Sequence, residues 1–268
     1  MALDWKIFAR RPYIASLSLE EQIRLFQIAN EKSIKLREQR YVDFANSNST
    51  SQGAAGDGDT GVTPYVNPYS LNFDGIDDVV ELDSSAVFSG VFSLSVWVKP
   101  NGFSTSQTIV GAGSSSKNWL RLSSANQITF RINSTTLNFA DVGNNLVNNI
   151  WQHLLIYRDS SNNVGIFRNG TAFSTTQSTT QNLTLITIGK RGNLEYSGFI
   201  DEIAFFSSDQ SSNISTIYNG GVPGDLTSLS PLGWWKLNEG TGTTAIDSGT
   251  GGNNGTVSSA TYSTDVPT

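Results

Sequence analysis

The chain has no cysteine, one methionine and one histidine among its 268 residues. Without cysteine there is no disulfide framework, no thiolate zinc site and no thiol nucleophile. A lone histidine excludes a metal site built from several imidazoles. Charge is also scarce, with Asp, Glu, Lys and Arg making up 15% of the residues against about a quarter in ordinary globular domains. No apolar run approaches the ~18 residues of a membrane-spanning helix, so membrane insertion is not expected. Asp4, Lys6, Arg10 and Arg11 interrupt the stretch where a secretory leader would need its apolar core. In place of the missing charge stand Ser, Thr, Asn and 25 glycines, the residues of turns and solvated strand faces. Apolar residues at 37%, counted together with those glycines, suffice for a full core, which excludes disorder over the whole chain.

The remaining charge is split unevenly. Residues 1–45 carry 8 of the 17 Lys and Arg and 6 of the 23 Asp and Glu, a net of +2, whereas residues 46–268 carry a net of −8. An acidic body of that size is not expected to bind nucleic acid, whose phosphates call for basic partners. Between the two lies a tract, residues 46–64, that is rich in Gly, Ser, Asn and Asp, has Val62 as its only large aliphatic residue, and reads as a linker. Ahead of it, Trp5, Phe8 and Tyr13 stand beside Arg10 and Arg11, and then a helix is expected over about 18–42. Ser18 and Glu21 form its capping box, Leu19, Ile23 and Phe26 its apolar stripe, and Lys35, Arg37 and Arg40 its basic end. A single amphipathic helix cannot bury its stripe alone. It must dock on its own domain, on copies of itself (a homotrimer is one such arrangement) or on another protein. Arg and aromatic residues dominate interfaces, which together with the apolar stripe makes Trp5, Phe8, Arg10, Arg11, Tyr13, Ile23 and Phe26 the candidate anchor.

From residue 70 onward, period-two segments follow one another between Gly and Asn turns. They include SLNFDG (70–75), DVVELD (78–83), FSLSVWVKP (92–100), NWLRLSS (118–124), QITFRIN (127–133), WQHLLIYRD (151–159), LTLITIGK (183–190), GFIDEIAFF (198–206) and GWWKLNE (233–239). This pattern predicts an all-β sandwich or barrel. In 92–100, Phe92, Leu94, Val96 and Val98 share one face. In 198–206, strict alternation would place Asp201 on the face of Ile203 and Phe205, an expensive position for an unpaired carboxylate. One helical turn is expected at 211–220.

Several of these motifs, in order, resemble the laminin-G-like, concanavalin A-like lectin/glucanase jelly roll. They are SLNFDGIDDVVEL (70–82), the W-x-H strand with its hairpin ending in Asn169-Gly170, the late G-x-I-D-E-I strand, and IYNGG (217–221). The resemblance covers residues 65–268 and implies a sandwich of two antiparallel sheets. The stretch GWWKLNEGTGTTAIDSGTGGNNGT (233–256) usually opens such domains and here comes last, so the motif order is permuted. The alternative is that residues 233–256 begin a second, truncated repeat.

Glucanases of this fold carry E-x-D-x-x-E on one strand, and this chain has no such pattern. Glycosidases need two carboxylates a fixed distance apart across a cleft, whereas Asp77/Asp78 and Asp201/Glu202 are sequence neighbours that alternation sends to opposite faces. No enzymatic activity and no required cofactor are expected. The resemblance implies that Asp201 lies near the loop holding Glu239 and Asp247, and these three are candidate ligands of a structural Ca²⁺, an ion that takes six to eight oxygens; the alternative is a turn-capping role for each. Glycan binding is the commonest role the resemblance implies. Asn118, Trp119, Arg121, Arg131 and Tyr196 are candidates for it, as planar or aromatic side chains able to contact sugars. The overall plan of arm, tether and lectin-like module also resembles structural proteins of tailed phages. It implies a virion location, with residues 1–45 docked on capsid or tail proteins and residues 65–268 displayed toward host glycans. The alternative is a free, secreted or cell-surface carbohydrate-binding protein.

Overall fold

Alternation of apolar and polar residues is what builds the two sheets. In Phe92–Pro100, Phe92, Leu94, Val96 and Val98 enter the main core, while Ser93, Ser95 and Trp97 turn to the opposite face. The computed structural model describes residues 65–268, apart from 104–105, 114–116, 125–126 and 141–145. The expected linker, the helix over 18–42 and the anchor residues Trp5, Phe8, Arg10, Arg11, Tyr13, Ile23 and Phe26 lie outside the described residues. Among the described residues, no helix is long and apolar enough to cross a membrane.

The fold is an all-β sandwich of antiparallel sheets. Numbered in chain order, the first sheet contains β1 (Ser70–Asp74), β3 (Phe92–Pro100), β8 (Gln152–Arg158), β9 (Asn163–Arg168), β10 (Thr171–Ala172), β11 (Gln177–Ser178), β15 (Ser197–Phe206), β16 (Gly233–Trp235) and β19 (Thr261–Ser263). Its main path runs β10-β9-β8-β3-β15-β1-β19, with β11 on β9 and β16 on β15. The second sheet contains β2 (Val79–Phe88), β4 (Gln107–Gly111), β5 (Trp119–Ser124), β6 (Gln127–Ile132), β7 (Thr135–Ala140), β12 (Leu183–Ile188), β17 (Thr244–Ala245) and β18 (Gly255–Ser258), in the order β17-β18-β2-β12-β4-β5-β6-β7. A two-stranded hairpin, β13 (Lys190–Arg191) and β14 (Leu194–Glu195), stands apart from both. The only α-helix among the described residues is the short α1 (Ile214–Tyr218), at the expected helical turn.

The permuted stretch belongs to this sandwich. β16 pairs with β15, β18 with β2, and β19 with β1. Residues 233–263 therefore complete the sheets begun by residues 70–88 and do not start a second repeat. Between the sheets, aromatic rings interlock edge to face: Phe88 with Phe205 at 6.0 Å and Phe92 with Phe130 at 6.0 Å. Trp234 and Trp235 are both buried but on opposite sides of their sheet. Trp235 enters the main core, and Trp234 enters a smaller apolar cluster on the outer face of the first sheet.

Strict alternation fails in β15. The register against β3 slips between Asp201 and Ala204, and Glu202 takes a left-handed φ of 48°. This bulge puts one extra residue into the strand. Ile200, Ile203 and Phe205 thus all reach the main core, and Asp201, opposite Trp97 in the register, goes to the other face. The expectation that Asp201 shares a face with Ile203 and Phe205 is corrected accordingly. The bulge also places Asp201 and Glu202 in one buried polar environment, in contrast to the opposite faces that alternation predicts.

Candidate functional site

A sandwich offers two outer faces, and here they differ in kind. The middle of the outer face of the first sheet is covered by the segment 207–232. Ile217 and Leu226 from that segment cover Leu155, Ala204, Phe206 and Trp234. His153 lies under the same cover with no solvent exposure, between Trp97 at 5.1 Å and Tyr218 at 6.0 Å. Its Nε2 is 2.8 Å from the Ser95 hydroxyl. Burial pushes the imidazole down to about 3, so it is neutral at physiological pH. No carboxylate bonds its Nδ1, and a sealed, neutral imidazole does not serve as a general base.

The outer face of the second sheet is polar. Leu120, Leu122, Ile128, Phe130, Leu137 and Phe139 face the core, so the residues between them, which include Trp119, Arg121, Thr129, Arg131 and Asn138, face outward. Cross-strand register sets Trp119 opposite Arg131, Arg121 opposite Thr129, and Thr129 opposite Asn138. Short polar contacts run across the strands. Ser123 and Thr129 hydroxyls meet at 2.8 Å, the Thr129 hydroxyl donates to Asn138 Oδ1 at 3.3 Å, and Arg131 Nη1 donates to the Thr136 hydroxyl at 3.2 Å. Thr136 and Asn138 are exposed, and Arg131 is half-buried.

Trp119 and Arg121 are two residues apart on one strand and so share a face. The guanidinium lies over the indole, its central carbon 4.0 Å from the ring centroid, an arrangement the ring quadrupole favours. Nε donates to the Thr108 hydroxyl at 3.2 Å, while Nη2 is buried with no hydrogen-bond partner. Arg121 is 9% exposed. Burial, with the nearby Arg191 charge second, holds its pKa down at about 10, and it stays cationic at neutral pH. The β13–β14 hairpin brings Arg191 close. An ideal Cβ on Gly111 of β4 would come 2.7 Å from the Arg191 Cβ, so the hairpin packs on a strand position that only glycine leaves open. A Lys190–Glu195 ion pair of 3.3 Å closes that hairpin.

Of the five sequence candidates for glycan contact, this face brings together Trp119, Arg121 and Arg131. Asn118 adjoins them but is buried, and its Oδ1 accepts the Asn133 amide at 2.8 Å to fix the β6–β7 turn. Tyr196 is corrected to a core residue: it has no exposure, packs edge to face on Phe73 at 6.1 Å, and presents no surface to a ligand. The direction of its side chain follows from the hairpin before it, whose reversal gives no alternation signal in sequence. Trp119, 8% exposed and covered by Arg121, is not an open stacking platform. Sequence reasoning missed Thr136 and Asn138, which could have been found from the core alternation of β7.

The three cation candidates do not form a ligand set. Asp247 accepts the amides of Trp234 and Gly249 on Oδ1 and of Asn253 on Oδ2, each at 2.7 Å. Glu239 accepts the Ile246 amide at 2.8 Å and the Tyr262 hydroxyl at 2.9 Å. Asp201 accepts Asn67 Nδ2 at 2.7 Å and the Glu202 amide at 3.0 Å. Their oxygens thus serve as turn and strap acceptors, and they do not line an oxygen cage for Ca²⁺. Among the described residues, the one trio of carboxylates close enough to share a cation is Asp74, Asp77 and Asp78. Of these, Asp78 is held by the Asp74 amide at 2.6 Å and Asp77 by the Ser259 hydroxyl at 3.2 Å.

Asp201 and Glu202 are the strongest acid–base anomaly, and a pair of perturbed carboxyls is a reason to suspect chemistry. Both are raised above the ordinary carboxylate range, Glu202 to about 7, with burial the main cause in each. Glu202 accepts from the Tyr65 hydroxyl and from Trp234 Nε1. Tyr65 stacks on Trp234 at 5.8 Å, and Lys236 sits 4.3 Å over the indole. Asp201 is 0% and Glu202 2% exposed, so no substrate reaches them. The pair ties the Tyr65–Asn67 segment to β15.

Residues 74–213 match a laminin G family model described as the concanavalin A-like lectin/glucanases superfamily, and the chain belongs to that family. No curated protein matches it. Among solved structures it resembles a candidate carbohydrate-binding protein of Bacteroides ovatus, at 19% identity and a TM-score of 0.59, over 76% of this chain. The chain spans 62% of that structure's length. It also resembles a heptameric SAP-like pentraxin of Limulus polyphemus, at 11% identity and a TM-score of 0.48, over 58% of this chain and 84% of that one. Domain 4 of the extracellular arabinanase AbnA of Geobacillus stearothermophilus aligns at 16% identity and a TM-score of 0.46, over 56% and 76%. At such identities the likeness is one of fold, and function rests on the site.

Proposed function

We propose that the chain is a non-enzymatic glycan-binding module whose ligand lies on the outer face of strands β4–β7. The observation that carries this reading is the contrast between the two faces. One is covered at its centre by an apolar segment, and the other presents hydroxyl, amide and guanidinium groups on Arg131, Thr136 and Asn138, with the buried Thr129 hydroxyl bonded to Asn138 from beneath. Such planar polar groups suit the hydroxyl edges of sugars. The Bacteroides ovatus relative, described as a candidate carbohydrate-binding protein, agrees with it. Calorimetric titration of the full chain against oligosaccharides selected on a glycan array tests it, with Asn138→Ala and Thr136→Val as variants. Binding lost in the variants supports the reading; no glycan binding, or binding indifferent to both changes, refutes it.

The finer reading concerns residues 1–45. Their aromatic and basic leader, capped helical pattern and Gly/Ser/Asn tether suit attachment to a larger assembly, and a virion with this module displayed outward is the assembly we favour. Capsid or tail proteins would be the partners, with the helix copies packed as a trimer in that setting. Deleting residues 1–15 should abolish incorporation into particles and leave a folded module; normal incorporation of the deletion refutes the anchor. A free carbohydrate-binding protein would bind glycan without any assembly partner.

A further inference from the structure

Two buried arginines sit in this sandwich, and they are treated differently. Arg158 is fully buried and satisfied. Nε donates to the Gly90 carbonyl at 2.6 Å, Nη1 to the Gln181 carbonyl at 2.5 Å, and Nη2 again to Gly90. Arg121 has no such lashing. Its contacts among the described residues are one hydroxyl and one indole face, and Nη2 is buried without a hydrogen-bond partner. The charge that acts on it is that of another cation, Arg191. A buried cation without an anion or a set of carbonyls is energetically unfavourable, and among the described residues no carboxylate is paired with it, which leaves room for a counter-charge brought by a ligand. The surroundings agree. The body of the protein is acidic, yet five of the nine Lys and Arg beyond residue 45, namely Lys117, Arg121, Arg131, Lys190 and Arg191, lie on β5, β6 and the adjoining hairpin or next to them. The acidic counterpart within that hairpin, Glu195, is engaged by Lys190.

We propose that the glycan taken by this face is anionic, bearing carboxylate or sulfate groups, and that Arg121 receives the charged group while Arg131, half-buried beside it, holds the approach. This rests on the glycan-binding reading above. Nη2 is closed to solvent in the free chain, so binding requires the guanidinium to shift toward the surface, where a carboxylate or sulfate oxygen completes its empty donor site; a guanidinium fork suits such planar or three-oxygen acceptors better than it suits neutral hydroxyls. The indole behind the guanidinium fixes its plane and excludes water from one side, which strengthens the contact.

The test is titration of the full chain with length-matched pairs, oligogalacturonate against neutral galacto-oligosaccharide and chondroitin sulfate against its desulfated form, with sodium sulfate alone as a third arm. The expected result is at least about tenfold tighter binding of an acidic member than of its neutral counterpart, a loss of about tenfold or more in Arg121→Gln, and weakening with added salt. If Arg121→Gln does not fold, Arg131→Gln serves in its place and should weaken the acidic ligand at least about threefold. Equal binding of neutral and acidic members overturns the charge preference and leaves glycan binding intact. Binding of free sulfate as tightly as the acidic glycan overturns the sugar part. Failure of every glycan removes the underlying reading and this inference with it.

Discussion

Replacing Glu202 with glutamine should tilt the pH dependence of folding in a direction fixed by burial. The carboxyl titrates near 4.5 as a model group and is pushed up to about 7 in the folded chain, chiefly by desolvation. Between those values the folded protein holds a proton that the unfolded chain has released, so this group's contribution falls as pH rises, by about 1.4 kcal/mol per pH unit. Over the whole interval the loss is on the order of 3 kcal/mol. His153 acts oppositely. Burial takes its imidazole from 6.5 down to about 3, so its contribution is complete above pH 6.5 and is lost as pH falls toward 3. The two slopes overlap and oppose each other between pH 5 and 6.5. In the Glu202→Gln variant the new side chain would keep the Trp234 and Tyr65 contacts, through its carbonyl and its amide respectively, but cannot titrate. The stability of the variant minus that of the wild type should therefore rise by about 1.4 kcal/mol per pH unit from pH 5 to 6.5. Removing a negative charge beside Asp201 lowers that carboxyl, which acts in the same direction. Urea unfolding followed by tryptophan fluorescence at four pH values reads the difference directly. A flat difference would refute the assignment of Glu202 as a buried, proton-holding carboxyl.

Three further outcomes follow from the packing. Arg158→Met leaves the carbonyls of Gly90 and Gln181 without their donor and should lower unfolding stability by about 2–4 kcal/mol, measured as a fall in urea midpoint. Asp247→Ala orphans three backbone amides, that of Trp234 on β16 and those of Gly249 and Asn253 ahead of β18, and should cost about 2–4 kcal/mol, with hydrogen exchange accelerated first at Trp234, Gly249 and Asn253. Gly198→Ala should cost at least about 3 kcal/mol by the same unfolding assay, since φ is +130° there and a Cβ would lie 2.2 Å from the Lys99 carbonyl oxygen.

Much of the sandwich was legible because a strand with one buried face alternates in sequence. Phe92–Pro100 and Gln127–Ile132 were readable for that reason. Strands β18 and β19 were not, since Thr, Ser and Gly dominate them and their order comes from partners distant in sequence. The parity error at Asp201 has a different cause. A non-glycine residue in the left-handed region, Glu202, leaves no mark in composition, yet it reverses every side chain before it relative to those after it. The pairing of Trp119 with Arg121 is local, two residues apart, and could be read directly. Whether Arg121 finds an anion depends on residues from β4 and the β13–β14 hairpin, and that could be read only in three dimensions.

The pairing of β1 with β19 and of β2 with β18 also sets an order in time. During synthesis, Ser70–Asp74 and Val79–Leu82 emerge early and wait for partners some 180 residues downstream. Until residues 255–263 leave the ribosome, each of these strands has an unsatisfied edge, the kind of edge that recruits other chains. Contacts so distant in sequence slow folding. The sandwich is therefore expected to close only once residues 255–263 have emerged, and a chain stopped before residue 255 would present two open strand edges to its neighbours.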